Sequence, residues 1–195
     1  RPLISKGFLE QARVNAQHNI AALLPYAERG VPIVGIEPSC ILSLSDDYLD
    51  LVGGEDAKKV AERVYMLENF LVEEARDGNL GLEFKATRRR LLLHGHCHQK
   101  ALVGTAATLE VLRMPPQFEV EEIDSGCCGM AGSFGYEKEH FEVSRQVGQE
   151  RLFDVIEAAE DDVEIVAVGT SCRHQIADFT ARKARHWTEV FVEAL

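Results

Sequence analysis

Cys97, Cys127, Cys128 and Cys172 are the residues of this chain best suited to chemistry. Thiolates are soft donors that select zinc, copper(I) or iron–sulfur clusters. The vicinal pair sits in Gly126-Cys127-Cys128-Gly129, where the flanking glycines permit backbone angles that present two sulfurs together. Between Cys97 and Cys127 lie 29 residues, and 43 lie between Cys128 and Cys172. Zinc fingers instead pair their ligands in short C-x-x-C knuckles. Adjacent Cys127 and Cys128 are poorly placed to bond each other, and no CxxC motif suggests a thiol–disulfide exchange site. The five cysteines therefore read as metal or redox chemistry in a reducing compartment, with Cys40 outside the group of four.

The elements that must position these sulfurs alternate. Helical patterns cover Phe8–Arg29, Ala57–Asp77, Ala101–Leu112, Glu137–Ala159 and Trp187–Leu195, and short β-branched or leucine runs cover Pro32–Ile36, Leu91–His94, Val120–Ile123 and Ile165–Val168. This alternation predicts an α/β fold, with parallel sheets flanked by helices. Each of the four strands runs directly into a cysteine-bearing turn: EPSC at Cys40, GHC at Cys97, DSGCC at Cys127 and Cys128, and GTSC at Cys172. Ligands in open α/β sheets bind outside the carboxyl ends of the strands, so the site is expected there.

The order glycine turn, long helix, strand, Ser-Cys occurs twice, from Gly7 to Cys40 over 33 positions and from Gly135 to Cys172 over 37. That similarity predicts two pseudo-repeated lobes. Nothing before Arg1 corresponds to Cys97 or the Cys127-Cys128 pair, so the chain is expected to be part of a longer polypeptide. The predicted division places the end of a first repeat and its connecting helix in 1–85 and a second repeat in 86–195.

The phrases GIEPSC (Gly35–Cys40), HGHCHQKA (His94–Ala101), DSGCCGMAGSFGYE (Asp124–Glu137) and TSCRHQI (Thr170–Ile176) make the pattern more specific. Together they resemble the cysteine-rich CCG domain. That domain is found in heterodisulfide reductase, in the iron–sulfur subunits of glycolate oxidase and anaerobic glycerol-3-phosphate dehydrogenase, and in lactate-utilisation proteins. The nearest likeness is to fused FAD-linked oxidases with iron–sulfur domains, of the D-lactate or D-2-hydroxyacid dehydrogenase type.

The resemblance implies an electron-transfer domain of an oxidoreductase acting on a 2-hydroxy acid such as D-lactate or glycolate. It would hold an iron–sulfur cluster, a [4Fe–4S] cluster being the leading form, on Cys97, Cys127, Cys128 and Cys172, with Gly129 and His96 beside it. Its partners would be upstream FAD and ferredoxin-like domains and a redox acceptor, and it would not turn over substrate without the flavin domain. Cys40 would be a remnant of the first repeat, a free thiol in a buried turn. Family members close the motif with CxxC, whereas this chain has Gln175 at the last position. A conventional cluster, a noncubane cluster and a zinc ion in a structural or interaction module all stay open.

Among the histidines, His96 and His98 are expected to support the turn, and His94 to be a satisfied strand residue. If the backbone were extended throughout, His94, His96 and His98 would share one face and Cys97 the other. His174 is a weaker ligand candidate. Met130–Gly135 lacks the lysine of a phosphate loop and is expected to be the turn behind the CCG pair, with amides facing the sulfurs.

Composition excludes other classes. A net charge of −11 argues against nucleic acid. The basic run Lys85–Arg90 reads as a solvated approach to the next strand. With 46% hydrophobic and 27% charged residues, the chain has an ordinary globular profile. Its longest apolar runs are far too short for a membrane span, and no secretory leader is legible. A cytoplasmic location is expected, either free or peripheral to the inner face of a membrane.

Overall fold

The computed structural model describes all residues from Arg1 to Leu195, which divide into two compact units, Arg1–Phe70 and Leu71–Leu195. In the first unit, α1 (Pro2–Ser5) and α2 (Leu9–Ala27) lead to β1 (Ile33–Gly35). Then follow α3 (Pro38–Ile41), α4 (Asp47–Leu51), α5 (Gly54–Ala61) and β2 (Val64–Met66). The two strands pair in parallel, Ile33 opposite Val64 and Gly35 opposite Met66. Ile20 and Ala27 of α2 pack with Ala57 and Val60 of α5 in one apolar cluster, against which Ile33 and Val64 also rest. Removing these aliphatic groups from water stabilises the unit by roughly 25 cal/mol per Å² of apolar surface.

The helix expected over Ala57–Asp77 is two helices with β2 between them, the second being α6 (Leu67–Arg76), within which the unit boundary falls. The run Val64-Tyr65-Met66 suits a pleated strand as well as a helix, and only its partner strand decides between them. Phe8, which caps α2, and Val14 within it are largely exposed despite their apolar side chains.

The second unit is built on three parallel strands in the order β4-β3-β5. They are β3 (Arg89–His94), β4 (Phe118–Glu122) and β5 (Val163–Ala167). Central β3 carries Leu91 and Leu93 fully buried, whereas edge strand β4 alternates buried Phe118 and Val120 with exposed glutamates, as a half-covered strand should. The α/β expectation of parallel sheets flanked by helices therefore holds in both units.

Helices α7 (Cys97–Leu102) and α8 (Ala106–Leu112) follow β3, and α9 (Phe141–Gly148) and α10 (Asp154–Ala158) follow β4, with a π-helical stretch at Gln149–Phe153 between that last pair. After β5 come α11 (Thr170–Phe179) and α12 (Trp187–Glu193). Helix α11 carries the closing motif, and its periodicity is hidden because polar and charged residues crowd its first two turns. The helix expected over Ala101–Leu112 breaks at Gly104, which adopts φ +74°.

The basic run is not simply solvated. Arg89 makes a two-pronged pair with Glu164 at 2.6 and 2.7 Å and also meets Glu193. Arg90 pairs with Glu160 and Asp162, and Arg88 pairs with Glu119. These arginines stitch the amino-terminal edge of the sheet, away from the strand ends that carry the cysteines.

Candidate metal centre

The register of the three-stranded sheet fixes where the sulfurs can meet. His94 ends β3 opposite Ala167 of β5, and Leu93 lies opposite Glu122 of β4. All three strands thus stop at one edge, and within a few residues each delivers cysteine: Cys97 as the first residue of α7, Cys127 and Cys128 in the turn after β4, and Cys172 in the first turn of α11.

The four cysteines bias one another's ionisation in sequence, Cys97 with Cys127, Cys127 with Cys128 and Cys128 with Cys172. Hydrogen bonds to their neighbours' thiolates, together with burial, push the Cys97 and Cys128 thiols above the ordinary range. Cys127 is held well below it by hydrogen bonds from Cys128 and Cys97, helped by the amides of Gly129 and Ala131. Cys172 is lowered chiefly by Cys128, against the cost of burial, with His94 and His96 assisting. Cys128 and Cys172 lie inside the apolar cluster with Ile123, Met130, Leu152, Phe153 and Ile176, while Cys97 reaches the surface. Concentrated anionic sulfur in a dry setting is what a soft cation stabilises.

The turn holding the pair depends on Gly129, whose φ is +96° and whose amide donates to Cys127 Sγ at 3.3 Å. A Cβ at this position would lie 2.0 Å from the Ser144 carbonyl oxygen. Behind the turn, Ser144 Oγ donates to the Gly129 carbonyl at 2.9 Å, and Gln175 Nε2 donates to the Cys128 carbonyl at 2.9 Å and to Ser144 Oγ at 2.8 Å. Gln175 therefore braces the cysteine turn through its backbone. Nothing in the sequence signals that role, which arises from α11 packing behind the turn.

The histidines sort differently from the expectation of alternation. Extended backbone continues only through His96, whose Nδ1 caps α7 by accepting the amide of His98 at 3.1 Å. From Cys97 the chain is helical, so facing directions no longer alternate. His96 is buried and packs on Gly169, where a Cβ would lie 2.2 Å from its ring.

His94, expected to be satisfied, is satisfied on one side alone. Its Nδ1 lies 2.7 Å from Ser125 Oγ, whereas its buried Nε2 makes no conventional hydrogen bond. A ring nitrogen of His94 and the sulfurs of Cys128 and Cys172 lie within 4.8 Å of one another. His174 pairs with Tyr136 at the surface.

Cys40 belongs to the first unit and is exposed, where a buried turn was expected. Short α3 leaves its side chain outward while Pro38 and Ile41 turn in.

No family model matches the chain, and no solved structure matches it. It is 29% identical over 195 residues to a subunit of the anaerobic glycerol-3-phosphate dehydrogenase of Escherichia coli K12, with all of this chain and 48% of that protein aligned. It is 30% identical over 195 residues to the D-2-hydroxyglutarate dehydrogenase of Pseudomonas putida, covering 99% of this chain and 18% of the relative. Against the D-2-hydroxyglutarate dehydrogenase of Haemophilus influenzae the identity is 28%, over 97% of this chain and 19% of the relative. The chain thus spans about half the length of the first relative and under a fifth of the other two, and each of the three is a dehydrogenase or part of one by name.

Proposed function

We propose that this chain is the iron–sulfur electron-transfer part of a larger FAD-dependent dehydrogenase that oxidises a small hydroxy acid or a related anionic alcohol. In this reading 86–195 is a CCG repeat and 1–85 the end of a preceding one. The flavin and the substrate reside in other domains or subunits. A bound cluster supplies a one-electron donor and acceptor. Cys97, Cys127, Cys128 and Cys172 bind it, and the Gly129 amide orients Cys127. Ile123, Met130 and Phe153 keep water from the buried side, and the accessible Cys97 marks the side open to a redox partner.

The observation that carries this reading is that three adjacent parallel strands end at one edge and deliver four cysteines there, two of whose sulfurs lie within 4.8 Å of each other and of a histidine nitrogen. The names of the relatives support the oxidoreductase class. Protein prepared without oxygen should be brown, contain iron and acid-labile sulfide, and give an EPR signal on reduction. Colourless protein that takes up neither iron nor sulfide on anaerobic reconstitution would sink the reading.

The closeness of one histidine nitrogen and two sulfurs favours a second reading, a single structural zinc. Stoichiometric zinc with no redox signal is its signature.

A further inference from the structure

His94 stands at the carboxyl end of the central strand with no exposed surface. Its Nδ1 lies 2.7 Å from Ser125 Oγ, a hydroxyl able to accept from Nδ1–H. The Ile123 carbonyl lies 3.4 Å from that oxygen and offers the hydroxyl proton another acceptor. Lys100 is fixed by a 2.7 Å bond to the Ser125 carbonyl. A metal on Nε2 requires the ring proton on Nδ1, where Ser125 stands to receive it.

Nε2 is buried without a conventional hydrogen bond, in a place where an unmatched polar atom costs about 1–3 kcal/mol. With Nδ1 engaged by Ser125, Nε2 is the nitrogen left for the group formed with the Cys128 and Cys172 sulfurs, whose donor atoms lie within 4.8 Å of one another. Around a tetrahedral ion with ordinary thiolate and imidazole bonds the donors would be about 3.5–3.8 Å apart. A modest contraction converts one arrangement into the other. A ligand histidine whose far nitrogen donates to a fixed acceptor is the usual outer arrangement of metal-bound imidazole. Gln175, the other buried polar side chain behind the cysteine turn, has its amide nitrogen committed to Cys128 O and Ser144 Oγ.

We infer that His94 binds metal through Nε2 together with Cys128 and Cys172, so that the centre is a mixed imidazole–thiolate site with Ser125 as its positioning residue. The inference rests on the reading of this site as a metal centre, but not on which metal fills it. An imidazole in place of a thiolate lowers the negative charge of the donor set, so a redox-active occupant has a higher potential than it would in a His94→Cys variant.

The test uses cobalt(II) on the whole metal-free chain under anaerobic conditions, followed by visible absorption and proton NMR with 15N-labelled histidine. The expected result is thiolate-to-cobalt charge transfer, plus one strongly shifted, solvent-exchangeable imidazole N–H resonance. That resonance should disappear in His94→Gln and persist when His96 and His98 are both changed to asparagine, an assignment that holds even if His94→Gln folds poorly. Ser125→Ala should weaken cobalt binding about 10-fold or more while charge transfer persists. Failure to take up cobalt, a cobalt complex without the shifted resonance, or a resonance that survives in folded His94→Gln would each overturn the inference. Iron and sulfide analysis decides the proposed function separately. An iron–sulfur protein lacking histidine nitrogen coupling in pulsed EPR overturns only this inference, and cobalt held by His94 in a chain that never takes up iron and sulfide overturns only the iron–sulfur reading.

Discussion

Two residues decide the shape of the cysteine turn, and neither is a cysteine. Gly129 combines a positive φ with backbone crowding from Ser144, so Gly129→Ala should destabilise the protein by at least about 1–3 kcal/mol and abolish metal uptake. Thermal unfolding together with metal analysis checks this; a variant with normal stability and full loading would show that the turn relaxes freely. Gln175→Leu removes the donor serving Cys128 O and Ser144 Oγ, with an expected loss of about 1–3 kcal/mol in chemical denaturation.

Among the elements, β3 organises the second unit from both ends. Its last residue faces the sulfurs, and Arg89 near its start binds Glu164 of β5 and Glu193 of α12. Arg185 and Arg89 hold Glu193 below the usual carboxylate range, at about 2. A depressed acid stabilises the fold above its unfolded value, and that contribution is lost as pH falls from about 4.5 toward 2. Acid unfolding of Glu193→Gln, measured by circular dichroism, should therefore be less steep across that window than in the unaltered chain. Arg89→Met should cost about 1 kcal/mol in chemical denaturation at neutral pH, because it removes the two-pronged partner of the partly buried Glu164 and leaves it Arg185 at 3.2 Å.

Over the whole molecule, the two units have separate apolar clusters, and Cys128 and Cys172 belong to the one in Leu71–Leu195. Metal removal should therefore loosen the second unit selectively. Hydrogen exchange should accelerate in β3, β5 and α11 on chelation while α2 and α5 of the first unit keep their protection. Equal acceleration in both units would indicate that their stabilities are tied together. No helix is long and apolar enough to cross a membrane.

The sequence by itself determined the parallel α/β class, the four strands that end in cysteine, and the CCG turn, because each is written in local spacing: β-branched or leucine runs, glycine flanks and adjacent thiols. Short β2 hid inside a helical pattern, and α11 among polar residues, since a three-residue strand and a helix bearing site residues lack a clean period. Tertiary structure alone decided that His94 ends beside two sulfurs, that Gln175 braces a carbonyl, and that the basic run is paired. Each of these depends on a partner at least 30 positions away in the chain. Side-chain direction at the end of a strand is set by the register of the sheet, which no local pattern records.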